Sequence, residues 1–533
     1  MRNFADLWES YAGTDPDGIA LVQGERELTW SEFDREAGAV ASGLLDAGLG
    51  RQSKVGCLLY NSVEYMTVCF AAFKAALVPV NVNYRYSARE ATYLLADADA
   101  EAVVFHSSLT ELVEAIRPEL PGVRTWIAVD DGRSVPGWAA DYAAVAAGPI
   151  VEPPWERSED DLVILYTGGT TGMPKGVMWA QGDLVTGLGV VMGGAVPAGA
   201  SPGASPSPAP PTAPSRLLPA SPLMHAAGLL SALGTLSRHG CLVTVAAHRP
   251  RAEDFWDAVS RHRATTMAMV GDAFARPLAE ALDAEPDRWD LSSLTAILSS
   301  GVAWSETAKR ALLAHLPQVA LVDLLGSSEA IGMGRSETTL SNVVASGHFR
   351  PSDSVRLIDA EGRVRRPAPG VRGLLAMSGI GPLGYYKDPE KSASTFMTID
   401  GVRYSVPGDF GEVAADGGLR LLGRGSGCIN TGGEKIFPEE VDEVLKLHPS
   451  VLDAACIGLA DERFGEVVCA VVEAAPSSEP DLPEIRAHTM KYLADFKAPR
   501  RLVIVDSIDR SAAGKLNYPA LRRRAMERLG APS

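Results

Sequence analysis

An α/β fold is predicted, with a large multi-layered amino-terminal domain of parallel-rich sheets and a small α+β carboxy-terminal domain on a hinge. Three features predict it. The first half of the chain alternates short apolar runs with amphipathic stretches, the βαβα rhythm of a largely parallel sheet. The character of the sequence changes after Gly423, where a glycine-rich stretch precedes a fresh strand and helix pattern. The 533 residues are too many for one ordinary core. The division expected is residues 1–423 and 424–533.

The elements follow in order. Ser31 and Asp34 stand at capping-box spacing. Phe33, Ala37, Val40, Ala41 and Leu44 then share one helical face, and Gly48 stops the helix. Val55 to Leu59 reads as a buried strand. Ser87 and Glu90 form a second capping box, and Ala102 to Phe105 a further strand. Residues 193–215 read GGAVPAGASPGASPSPAPPTAPS. Small residues and prolines there cannot bury enough apolar area to offset ordering entropy, so a flexible surface loop within the first domain is expected rather than an interdomain linker. In the tail, Val441, Val444, Leu445 and Leu447 mark an amphipathic helix, followed by strands near Ala454 to Gly458 and Val467 to Val472.

Composition excludes several classes. Hydrophobic residues make up 46% and charged residues 22%, as in soluble globular proteins. A formal charge of −17 argues against nucleic acid as the main partner, because phosphate backbones need a basic face, while leaving room for a local basic pocket for a small polyanion. The six cysteines include no CxxC pair and no histidine at zinc-finger spacing, a pattern of reduced, buried thiols. The opening MRNFADLWESYAG lacks an apolar signal core, and the closing RLGAPS carries no peroxisomal or lipidation signal. The most apolar region, near Val63 to Val82, is interrupted by Lys74 and Pro79, so no membrane span is expected. A cytoplasmic protein follows from these observations.

The chemistry concentrates in Tyr166 to Val177, YTGGTTGMPKGV. A Walker A loop needs Ser or Thr after its lysine, but Gly176 follows Lys175, and no GxGxxG is present. What remains is a strand entering a turn rich in glycine and threonine. Such a turn offers backbone N–H groups and hydroxyls to phosphate oxygens, with a lysine as a point charge. The plainer alternative is a tight structural turn with surface threonines.

Further segments stand in order along the chain: PLMHAAG (222–228), LSSGVAWS (298–305), LLGSSE (324–329), YSVPGDFGEV (404–413), GRGSGCINTGGEKIFPEEV (423–441) and RSAAGK (510–515). Together with YTGGTTGMPKGV they resemble the motifs of the adenylate-forming superfamily, which includes acyl-CoA synthetases, luciferase and nonribosomal adenylation domains. The resemblance spans nearly the whole chain. GGTTGMPKGVMW, GDAFARPL and GSSE are most similar to actinobacterial fatty-acid and steroid-side-chain CoA ligases.

The resemblance implies ATP, Mg2+ and CoA as cofactors, a small carboxylic acid as substrate, and two steps. A carboxylate attacks the α-phosphorus of ATP to give an acyl adenylate, and CoA then displaces AMP. It implies that Thr167, Gly168, Gly169, Thr170, Thr171 and Gly172 wrap the phosphates with Lys175. Glu329 would ligate Mg2+, Asp409 the ribose, and Arg424 ribose or phosphate. Gly326, Ser327 and Ser328 would line the nucleotide site, with Asp323 on the adenine amino group and Gly301 packed close by. Lys515 would be catalytic, bridging the carboxylate and the α-phosphate. A lone histidine is more often structural, yet within PLMHAAG His225 resembles the gate between acyl and CoA sites. Gly432 and Gly433 would let pantetheine pass, with Lys435 on a phosphate. Residues near Gly271 to Phe274 and Ser300 to Trp304 would line the acyl pocket.

The chain departs from the family pattern at Leu325, where an aromatic usually stacks on adenine, and at Ser426 and Gly427, where the hinge is usually Asp or Lys. Leu325 can still cover the ring, and glycine frees the hinge backbone. The altered hinge keeps open a different acceptor, a carrier-protein thiol or an amine. A degenerate homologue that only binds nucleotide is the non-enzymatic alternative. A homodimer is the assembly expected from frequency alone.

Overall fold

The computed structural model describes residues 3–167, 173–191, 215–301, 304, 306–344, 347–359, 361–424, 429–436, 438–508 and 518–530, with backbone alone at 422–424, 435, 439, 443 and 519. The segment 193–215 therefore lies outside the described residues except for Ser215. Two compact units emerge. One comprises Met1–Tyr84, Leu94–Thr167 and Gly176–Gly423; the other comprises Arg424–Ser533 with Arg85–Tyr93 and Gly168–Lys175.

The first long helix, Trp30–Asp46, starts earlier than its spacing predicts. Thr29, not Ser31, is the cap: its hydroxyl accepts from the Glu32 N–H at 3.2 Å, and Glu32 accepts from the Thr29 N–H at 2.9 Å. Asp34 is instead drawn to Lys74 at 2.7 Å. The expected face is buried in full, with Phe33, Ala37, Val40, Ala41 and Leu44 inside. The Ser87–Glu90 box forms as read, its carboxylate accepting from the Ser87 N–H at 3.0 Å.

An eight-stranded sheet holds the first half of this unit. Lys54–Leu58 pairs in parallel with Val78–Asn81 on one side and Ala100–His106 on the other, and Leu162–Thr167 joins beyond Val78–Asn81. The central residues of these strands are largely apolar and buried because both faces are covered. A larger sheet has a parallel half as well: Arg216–Pro219, Thr266–Met269, Ala296–Ser300 and Ala320–Ser327 run side by side. At Ala320–Ser327 the pairing changes. Ala330–Thr338 returns antiparallel, and the pairs beyond it are antiparallel too. The sequence reading did not separate this antiparallel extension from the parallel layers.

The second unit has a five-stranded sheet built on the hairpin Val451–Asp461/Gly465–Ala474. Its helix Pro438–Lys446 buries Val441, Val444 and Leu445. Leu447, expected on the same face, lies past the helix end and is 60% exposed. The five described cysteines are free and buried.

The interior of this second unit contains a lysine. Lys497 Nζ lies 2.7 Å from Glu90 and 2.7 Å from Glu440, all three buried, with the Tyr86 ring 5.3 Å away. Burial alone would pull its pKa down; Glu440 and Glu90 reverse that and hold it above the ordinary lysine value. Removing one partner of a buried pair strands the other charge and costs about 3–5 kcal/mol. Lys497→Met is therefore expected to lower the calorimetric unfolding midpoint of the full chain. Adding Glu90→Gln and Glu440→Gln should recover most of that loss. An unchanged midpoint in the single variant would show that the cluster supports nothing.

Candidate active site

The opening motif is held from below by a residue outside every motif. Asn81, buried at the end of Val78–Asn81, accepts from the Tyr166 N–H at 2.8 Å and donates to the Tyr166 carbonyl at 2.9 Å. Its amide also donates to the Met224 carbonyl at 2.6 Å. One side chain thus fixes the strand entering YTGGTTG and the residue before His225. Nothing in VNVNY (80–84) marked Asn81 apart from Asn83 beside it.

Thr167 ends the strand Leu162–Thr167 half-buried, and Lys175 opens the strand Lys175–Ala180, also half-buried. Gly168, Gly169, Thr170, Thr171 and Gly172 lie outside the described residues. Gly176 is required by close packing: a Cβ there would stand 2.7 Å from Ile164 and 2.8 Å from the Tyr166 ring.

His225 occupies the cap position of helix Ala226–Leu236 and is half-buried. Gly228 lets that helix settle on the preceding turn, where a Cβ would be 2.4 Å from the Pro222 carbonyl. Asn61 holds the same turn, donating to the Pro219 and Ser221 carbonyls at 3.1 Å and accepting from the Leu223 N–H at 2.7 Å. The neighbouring Tyr60 N–H donates to His106 Nδ1 at 3.1 Å. Burial pulls the His106 imidazole down to about 4.

Glu329 sits where three attachments meet. Its carboxylate accepts from the Tyr385 hydroxyl at 2.8 Å, and its carbonyl accepts from Ser405 at 2.5 Å. The adjacent Ser328 carbonyl accepts from the Trp179 indole at 2.9 Å. Tyr385 and Trp179 belong to the eight-stranded sheet, whereas Ser328 and Glu329 follow a strand of the larger one. Ser327 accepts from the Glu329 N–H at 3.3 Å. Gly326 lies at a register shift where a Cβ would be 2.9 Å from the Ala330 carbonyl. Leu325, read above as covering adenine, is buried with Ala330, Met333 and Leu375, so core packing accounts for an apolar residue there.

Asp409 begins the strand Asp409–Val413, half-buried, after Gly408 at φ +97°. Gly301 follows Ala296–Ser300 at φ +87°. Asp323 is buried and paired with Lys309; burial raises its pKa and the Lys309 ammonium opposes the rise. Trp304 is core. In the second unit Gly432 and Gly433 have φ +54° and +87° between Ile429–Thr431 and Glu434–Ile436. A two-residue hairpin turn of that kind needs positive φ at both positions. The side chains of Arg424 and Lys435, and all of Lys515, Ser426 and Gly427, lie outside what is described.

The donor set fits a hard divalent cation. Glu329 presents an oriented carboxylate, and among the described residues no three acidic, His or Cys side chains gather as a cage. Mg2+ needs none, since it takes one or two carboxylates and completes its shell with water and phosphate oxygens.

Residues 8–386 match the AMP-binding enzyme family, and residues 440–515 match the AMP-binding enzyme C-terminal domain. The chain belongs to this family. A medium/long-chain-fatty-acid–CoA/3-oxocholest-4-en-26-oate–CoA ligase of Mycobacterium tuberculosis is 37% identical to this AMP-binding enzyme over 97% of the chain and 95% of that protein. The 3-oxocholest-4-en-26-oate–CoA ligase of Rhodococcus rhodochrous is 35% identical, covering 97% and 94%. Among solved structures, the amide bond synthetase McbA of Marinactinospora thermotolerans is similar with a TM-score of 0.80 and 25% identity, over 98% of this chain and 99% of that one. The α/β class and the parallel-rich layers expected from the sequence are those of this AMP-binding enzyme.

Two predictions follow from the geometry. Asn81→Leu removes three hydrogen bonds without changing bulk and is expected to lower kcat/KM for ATP by about 10-fold or more, with circular dichroism unchanged. Wild-type kinetics would remove the clamp from the site. His106, depressed below its ordinary 6.5, is neutral in the fold while the unfolded chain takes up a proton. Its stabilising effect is thus whole above pH 6.5 and is lost as pH falls toward about 4. Urea midpoints across that window should fall less steeply for His106→Asn than for wild type.

Proposed function

We infer that this chain is an AMP-forming acid–thiol ligase: an ATP-dependent acyl-CoA ligase acting on a hydrophobic or bulky carboxylic acid. Full-length likeness, at 35% to 38% identity, to proteins named as fatty-acid and 3-oxocholestenoate CoA ligases carries the reading. The enzyme uses ATP, Mg2+ and CoA. A carboxylate oxygen bonds to the α-phosphorus as the bond to pyrophosphate breaks; the CoA sulfur then bonds to the acyl carbon as AMP leaves.

In this reading the backbone of Thr167 to Gly172 and Lys175 hold the phosphate tail. Glu329 places a carboxylate, already fixed by Tyr385, where a divalent cation neutralises phosphate charge. Asp409 and Arg424 take the ribose side, and Gly301, Asp323 and Gly326 to Ser328 line the base. Lys515 offsets charge at the α-phosphate, His225 gates the acyl side, and Gly432, Gly433 and Lys435 serve CoA. The functional division falls at 423/424. The acid class is that of the relatives: medium or long fatty acids, or a steroid side-chain acid. The setting is the cytoplasm, without nucleic acid, and the assembly to test is a homodimer. No helix among the described residues is long and apolar enough to cross a membrane.

The likeness to McbA favours one second reading, transfer of the acyl group to an amine. Pyrophosphate release across fatty, aryl and steroid-side-chain acids, with and without CoA, separates the two. The ligase reading expects CoA-dependent turnover with a thioester product. Release indifferent to CoA, with no thioester, would replace it with the amine acceptor.

A further inference from the structure

A buried lysine behind the nucleotide side has no part in the chemistry above. Lys309 lies on helix Glu306–His315 with none of its side chain exposed, and its Nζ is 2.5 Å from Asp323 Oδ2. The Trp304 ring lies 5.7 Å from the ammonium. Ser336, the register partner of Asp323 on the antiparallel neighbour, approaches the same Oδ2 at 3.4 Å. On the parallel neighbour the partner is Ser299, whose hydroxyl already accepts from the Gly271 N–H at 3.0 Å.

Both groups that approach Asp323 therefore take Oδ2. Among the described residues no donor reaches Oδ1, and the side chain keeps 11% of its surface open. Packing alone does not explain Lys309, because an apolar residue fills a buried helix face without the cost of an ammonium. The carboxylate needs it. Burial drives Asp323 toward the neutral form, and Asp272, itself paired with Arg276 at 3.2 Å, adds a like charge. Lys309 opposes both. Asp323 stands on a strand that leads within six residues to Glu329, and ligands of α/β sheets bind at the carboxyl ends of strands.

We propose that Lys309 is a positioning residue for nucleotide selection: it keeps Asp323 ionised with Oδ1 open to accept an N–H from the base. An ionised acceptor favours adenine, with its exocyclic amino group, over a base carrying a carbonyl there. The proposal rests on the ligase reading, in which Asp323 faces the base. Lys309 itself touches no substrate.

The test compares ATP with inosine triphosphate, by kcat/KM in pyrophosphate release and by equilibrium binding. The proteins are wild type, Lys309→Met and the Lys309→Met/Asp323→Asn double variant, which removes both charges at once and so keeps the fold. Wild type should prefer ATP. Lys309→Met should cut that preference by about 10-fold or more, through KM for ATP. The loss should shrink as pH rises, because Asp323 without Lys309 ionises only at higher pH. The double variant should discriminate poorly at every pH. A purely structural Lys309 would lower the thermal midpoint and leave the ATP preference intact in both variants, and that result overturns the proposal. If binding discriminates and Lys309→Met abolishes it while wild type releases no pyrophosphate with any acid, the ligase reading fails and the selection device stands.

Discussion

The candidate site depends on how two sheets are fastened at Ser328 and Glu329. The turn after Ala320–Ser327 would be an ordinary hairpin end if it stood alone. Trp179 takes the Ser328 carbonyl, Tyr385 takes the Glu329 carboxylate, and Ser405 takes the Glu329 carbonyl. Two of the attachments hold the backbone of consecutive residues, and the third restrains the carboxylate itself. They also join YTGGTTGMPKGV to LLGSSE, because Trp179 and Tyr385 lie on and beside the strand that opens with Lys175. Asn81 does the corresponding work for the strand end at Tyr166 and the turn before His225. Preorganisation of this kind is what positioning catalysis requires, since little covalent work falls to the protein.

The sequence reading was strongest where local chemistry decides the outcome. The Ser87–Glu90 box and the buried face of Trp30–Asp46 needed only neighbours in the chain. It went wrong by two residues at Thr29, because Thr29–Glu32 and Ser31–Asp34 have the same spacing. Only the burial of Trp30 and the pull of Lys74 on Asp34 choose between them. It went wrong at Leu447 because helical periodicity runs on past the residue where the helix stops.

The motifs pointed to a candidate site, but not to what holds those segments in place. Asn61, Asn81, Trp179, Tyr385 and Ser405 act through partners that stand far away in sequence. No spacing rule links Asn81 to Met224. Glycines show the same divide. Gly176 and Gly228 sit in recognisable motifs, yet their requirement comes from how the folded chain sets Ile164, Tyr166 and the Pro222 carbonyl against them, which spacing alone does not reveal.

Charge completes the account. A chain of net charge −17 must hold ATP, a carboxylate and CoA, all anionic. Its buried lysines do not supply the attraction: Lys309 and Lys497 are each matched to buried carboxylates. Neutral donors are one further means, beside the cations assigned to the phosphates. Backbone N–H groups in a glycine- and threonine-rich turn bind phosphate with no counter-charge to bury and no desolvated cation to offset. In the proposed reading, the small residues between Thr167 and Gly172 would let an acidic protein bind a polyanion, and the cations assigned beside them would act where charge develops during the reaction.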